Sequence, residues 1–153
     1  MLTRLAIVLA ALPVAVILHL EADSIAPVVI VAALTVVTVL MPGSAGAALL
    51  IGYAALAMAF GEGHPLRLGV LLLIPALHLI HVTSAIAAVV PVKTKIEPAA
   101  LKAPARRFAI VQLISFGFAA FAAFIPSGAA IGLVELLGLG ALTVLTGVVA
   151  LRI

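Results

Sequence analysis

Residues 66–92 read LRLGVLLLIPALHLIHVTSAIAAVVPV and run directly into residues 93–107, KTKIEPAALKAPARR. The first stretch is 27 residues of almost unbroken apolar sequence with Arg67 as its only Lys, Arg, Asp or Glu. A helix rises about 1.5 Å per residue and the hydrocarbon core of a bilayer is about 30 Å thick, so this stretch is long enough to cross with tilt or a kink. The second stretch holds five basic residues, Lys93, Lys95, Lys102, Arg106 and Arg107, against Glu97. A long apolar run ending in a basic loop is the signature of a membrane span whose following loop stays in the cytoplasm.

The rest of the chain repeats the first half of that pattern. It is 153 residues long, 67% apolar and only 8% charged. Soluble domains are roughly 45–50% apolar and about 25% charged. Disorder is excluded as well, since it requires low hydrophobicity. Charges and turn residues divide the chain into six apolar stretches, at 5–20, 25–41, 46–60, 66–92, 108–125 and 128–151. The breaks carry turn chemistry, as in Pro42-Gly43-Ser44 and Pro126-Ser127-Gly128. Ser24 or Asp23 is expected to cap the second span and Ser44 the third.

The expected fold is therefore all-α: a polytopic transmembrane bundle of about six short spans forming one membrane domain over residues 1–153. The basic loop 93–107 separates two three-span halves. Six crossings with both termini in the cytoplasm put seven of the eight basic residues inside, Arg67 being the exception, while Glu21, Asp23 and Glu62 fall outside. Residues 25–60 must then cross an even number of times. A re-entrant hairpin, with four full spans elsewhere, keeps the same parity and is the alternative. The first stretch lacks a small-x-small cleavage site after its apolar run and reads as an uncleaved span. The localisation that follows is a multi-pass protein of the cell membrane, the bacterial inner membrane.

Polar groups inside the apolar stretches are the candidates for function, because ionisable residues in hydrocarbon are costly and usually face a bundle interior. His78 and His81 are three residues apart and about 60° apart on one helix face. Pro75 removes a backbone hydrogen bond one turn earlier. Glu135 lies about 7 Å from the centre of the sixth stretch, with Thr143 on the same side. Gln112 and Ser115 mark a polar face of the fifth stretch, whose Phe108, Phe118, Phe121 and Phe124 are expected on other faces. The second stretch adds Thr35 and Thr38. The expected picture is a small, polar interior built from the second, fourth, fifth and sixth spans, in which His78 or His81 partners Glu135. His19 and His64 fall at the outer surface.

No catalytic signature is present: no HExxH, GxSxG, GxGxxG or Walker A pattern. With no Cys, thiolate chemistry is absent. His78 and His81 are too close on one helix to clasp the two faces of a haem, and two His with one Glu make a thin metal-ligand set. No metal and no cofactor are expected. The formal charge of +3 is too small and scattered for nucleic acid. The sequence points to a non-enzymatic membrane scaffold or accessory subunit. Its partners are the bilayer and either further copies of itself or a larger membrane protein. A small proton- or metal-linked transporter using His78, His81 and Glu135 is the alternative. The cationic loop reads first as a topology determinant, and second as a surface for anionic headgroups or a partner protein.

Overall fold

The computed structural model describes residues 2–61, 66–92, 94 and 96–124. Among the described residues every regular element is helical: α1 (Leu2–Ala22), α2 (Ala26–Leu40), α3 (Gly46–Ala59), α4 (Leu68–Val89), a 3-10 turn (Pro98–Leu101) and α5 (Lys102–Ala123). Backbone contacts divide the chain into two compact units, Met1–Gly117 and Phe118–Ile153, and the packing below belongs to the first. Among the described residues, three segments are long and apolar enough to cross a membrane: Thr3–Ala22, Leu68–Val89 and Pro98–Ala123, with mean hydropathy 2.3, 2.0 and 1.3. Helices α2 and α3 are apolar but shorter, at 15 and 14 residues. The sixth apolar stretch, 128–151, lies outside the described residues.

Helix α1 is the centre of the first unit and packs most extensively against α4 and α2. Its buried residues, Ile7, Ala10, Ala11, Val14 and Leu18, recur every three or four positions and so form one stripe. Opposite them Leu5, Leu9, Leu12, Val16 and Leu20 are all more than half exposed. A helix that is apolar on its outer face as well suits a hydrocarbon surround, not water. Leu50 and Ala54 of α3, Val31 of α2 and Leu73, Ala76 and Ile80 of α4 complete the core.

The four helices alternate in direction. Glu21 at the end of α1 pairs with Arg67 at the start of α4. Thr3 and Ala6 of α1 share a cavity with Thr83 and Ile86 near the end of α4. The α2–α3 turn lies at that second end, since a Cβ at Gly43 would stand 4.0 Å from the Cβ of Ala88. The hairpin thus runs along nearly the whole of α4, a rise of about 31 Å between Arg67 and Ala88.

Local chemistry departs from expectation in three places. The N-caps are Ile25 and Ala45, one residue later than the expected serines, and neither makes a side-chain cap bond. Ser24 and Ser44 instead accept from the N–H two residues on, at Ala26 (3.3 Å) and Gly46 (3.2 Å). These are short hydroxyl turns that direct the chain into each helix. Asp23 ends α1 with φ of 45°, a left-handed conformation that Asp tolerates better than most residues. The polar loop is shorter than its composition suggests. Helix α5 begins at Lys102, six residues before the expected span, because Pro104 sits in the first turn, where a missing N–H costs nothing. Lys102, Arg106 and Arg107 are therefore helical and exposed, while Lys93 and Lys95 lie outside the described residues.

Close approach of α2 and α3 requires Gly46. A Cβ there would come within 2.9 Å of Thr38 Oγ1 and 3.2 Å of its backbone nitrogen. Gly52 on the same helix has open space around it. We predict that Gly46→Ala destabilises the bundle by about 1–3 kcal/mol through overpacking. Gly52→Ala is expected to be neutral or stabilising by up to about 1 kcal/mol. Denaturant melts of helical circular dichroism in mild detergent compare the two, and equal effects would refute the close-packing account.

Candidate functional site

The buried face of α4 is Leu73, Ala76, Ile80 and Ser84. The face carrying Ile74, His78, His81, Ala85 and Ala88 is turned about 100° around the helix from it. The histidines therefore do not point into the core made by α1 to α4; of the expected polar interior, built from the second, fourth, fifth and sixth stretches, the sixth lies outside the described residues. That core is apolar, because Thr35, Thr38, Thr83 and Ser84 satisfy their hydroxyls within their own helices. Thr35 and Thr38 donate to the carbonyls of Val31 (2.7 Å) and Leu34 (2.8 Å). Thr83 donates to Leu79 (2.7 Å) and Ser84 to His81 (2.9 Å). Hydroxyls spent this way are structural and leave little for a ligand.

The histidine flank meets α5 instead. Gln112 is the one buried residue among the described positions of α5, and its Nε2 lies 2.7 Å from Nδ1 of His78. One helical turn earlier, Phe108 stacks on the same imidazole, with ring centroids 4.8 Å apart and planes inclined by 24°. The expectation that Phe108 faces elsewhere is corrected: Phe108 and Gln112 are four residues apart and share the face that covers His78. With the amide donating to Nδ1, the imidazole carries its proton on Nε2. The Gln112 amide is then half used, since its Oε1 is buried without a partner. Ser115, three residues on, is half-buried, and His81, one turn along α4, is exposed. The structure thus joins His78 to Gln112 and leaves His81 apart. Glu135 and Thr143 lie outside the described residues. Among the described residues, no three His, Asp or Glu side chains gather as a metal site would require.

A second polar constellation was not anticipated. Arg67 Nε donates to Glu21 Oε2 at 2.5 Å, and its Nη2 reaches the carbonyl of Met58 at 3.3 Å. One guanidinium therefore ties the ends of α1 and α3 to the start of α4. A Cβ at Gly69 would collide with the Glu21 carboxylate, so glycine there lets the acid lie over the first turn of α4. A carboxylate beside a helix N-terminus is also favoured by the helix dipole. The sequence signal was the isolation of Arg67 among outward acids, which shows a charge imbalance but not a partner 46 residues away. His19, also at this end, is exposed and bonds through Nδ1 to the carbonyl of Ser24 at 2.9 Å.

No family model matches the chain, and no curated protein or solved structure matches it either. The polar groups themselves must carry the functional argument.

The His78–Gln112 contact has a measurable strength. Interhelical hydrogen bonds in membranes average about 0.6 kcal/mol and reach about 1.7. A double-mutant cycle of His78→Phe and Gln112→Leu is expected to give a coupling energy in that range, measured by reversible denaturation in detergent. Additive effects would mean that the two side chains do not hold α5 to α4.

Proposed function

We propose that the protein is a non-enzymatic integral membrane subunit or scaffold that docks to other protein through the flank shared by α4 and α5. The observation that carries this reading is an exposed imidazole, His81, at the middle of a 22-residue apolar helix. An ionisable group in hydrocarbon almost always faces protein or water. Exposure at that depth supports a surface covered in the assembled state.

The proposed topology is six crossings of the cell membrane, the bacterial inner membrane, with Arg4, the 93–107 segment and Arg152 on the cytoplasmic side. The reach of the α2–α3 turn to Ala88 supports full passage of that hairpin over re-entry. The cavity shared by Thr3, Ala6, Ile96 and Leu101 supports placing Arg4 and the basic segment at one end of the bundle. Further copies of the chain or a larger membrane protein are the candidate partners.

The chain has no cysteine, so single cysteines can be introduced cleanly. His81→Cys or Ala85→Cys, labelled with a benzophenone maleimide and irradiated in native membranes, is expected to form a crosslinked adduct of higher mass, the photoexcited ketone inserting into a C–H bond of whatever protein covers that face. Leu12→Cys, on the outward face of α1, is not. A chain that stays monomeric and unadducted at both α4 positions would overturn the docking reading. The second reading, a proton-linked transporter, is favoured by the mid-membrane His78–Gln112 pair. It requires flux in reconstituted vesicles that falls by about 10²-fold or more in His78→Ala, the scale on which a positioned proton-transfer group contributes.

A further inference from the structure

The docking reading leaves its partner open, and the exposed stripe of α4 narrows the choice. His81, Ala85 and Ala88 are all exposed, and they fall within about 60° of one another around the helix. His78, one turn before His81, is spent within the chain, on Gln112 and Phe108 of α5. His81 is therefore the imidazole that α4 presents outward. The two alanines beyond it carry only methyl groups, so another backbone can come close at their level.

Three properties of this stripe suit a second copy of the same chain. The first is depth. Copies inserted by the same bias of basic residues stand parallel, and a two-fold axis along the membrane normal then brings each His81 opposite its counterpart. The second is hydrogen-bonding type. A neutral imidazole has one N–H donor and one bare nitrogen acceptor, so it is its own complement. A different protein would need a polar group at that same depth, whereas a second copy carries one by symmetry. The third is charge. A parallel pair sets like charges level with each other, but residues 68–92 contain no Lys, Arg, Asp or Glu. Arg67, at the start of α4, is already paired with Glu21 of its own chain.

We infer that the partner on this flank is a second copy, in a parallel two-fold dimer whose His81 imidazoles hydrogen-bond to each other while Ala85 and Ala88 set the close approach. The inference rests on the docking reading and commits it to one occupant. A two-fold contact uses the same face on both copies and is closed, so it gives a dimer and not a filament.

Sedimentation equilibrium of the full chain in density-matched detergent measures the dimer directly. Loss of one interhelical hydrogen bond in His81→Leu should raise the dissociation constant by about 3- to 16-fold. His81→Asn, whose carboxamide also carries a donor and an acceptor, should retain the dimer. Ala85→Phe, at an exposed position, should abolish it by holding the helices apart. In native membranes, Ala85→Cys or Ala88→Cys with copper phenanthroline and dioxygen should give a species of twice the chain mass. Two thiols there lose two protons and two electrons to dioxygen, which leaves as hydrogen peroxide, and one S–S bond forms. Leu12→Cys should not react in this way. A monomer in sedimentation, an unchanged dissociation constant in His81→Leu, a dimer that persists in Ala85→Phe, or no disulfide at either alanine position would each overturn the inference. Benzophenone adducts of some other mass, without a disulfide dimer, would overturn the second copy and leave the docking reading standing. No adduct of either kind would remove both.

Discussion

Apolar side chains on the outer as well as the inner faces of the helices are the constraint from which the rest of this structure follows. In water, burial of apolar area chooses which face of a helix turns inward. In a bilayer that choice has almost no driving force, because lipid tails are as apolar as leucine. Helix α1 shows the consequence, with Ile7, Val14 and Leu18 buried and Leu9, Leu12 and Val16 exposed. Its two faces are chemically alike and differ only in what they touch. Orientation must then come from close fit and from the few polar groups. Gly46 supplies the fit between α2 and α3. The Arg67–Glu21 pair, with the Met58 carbonyl, supplies the polar anchor that holds three helix ends at one level.

The same constraint sorts the polar side chains into two kinds. A hydroxyl can return its hydrogen bond to the carbonyl three or four residues back, and Thr35, Thr38, Thr83 and Ser84 all do so. They need nothing from another helix. Imidazole and carboxamide side chains need partners beyond their own helix. His78 finds one in Gln112, and Phe108 covers its ring. His81 and the Gln112 Oε1 find none in the first unit. The exposed His81 imidazole is what separates a proposed docking face from ordinary lipid-facing surface.

Much of the helical organisation was legible from residues 66–107 and from the turn residues. The start and end of α3 and the continuous α4 follow from where apolar sequence stops and Gly, Pro or charge begins. The early start of α5 was less visible, because KAPARR is as polar as a loop, and its helicity rests on proline being harmless in a first turn. The pairing of His78 with Gln112 was half visible: both belonged to the expected polar cluster of the fourth and fifth stretches, but no spacing paired one with the other. The apolar residues flanking His78 are too uniform to reveal which of two faces 100° apart is inward. Phe108 was placed elsewhere for the same reason, since an aromatic ring reads as lipid-facing until a neighbouring helix is brought against it.

Sequence by itself determined that the chain is helical, that it is apolar enough for helices that could cross a membrane, and where most of its turns fall. These follow from composition and spacing, which act locally along the chain. Only the tertiary structure decided that α1 is central, that the α2–α3 turn reaches the end of α4, that Arg67 meets Glu21, and that the histidine flank faces α5 in place of the core. Each of these depends on residues far apart in sequence and on contacts between faces of equal hydrophobicity, and no periodicity in the sequence distinguishes such faces.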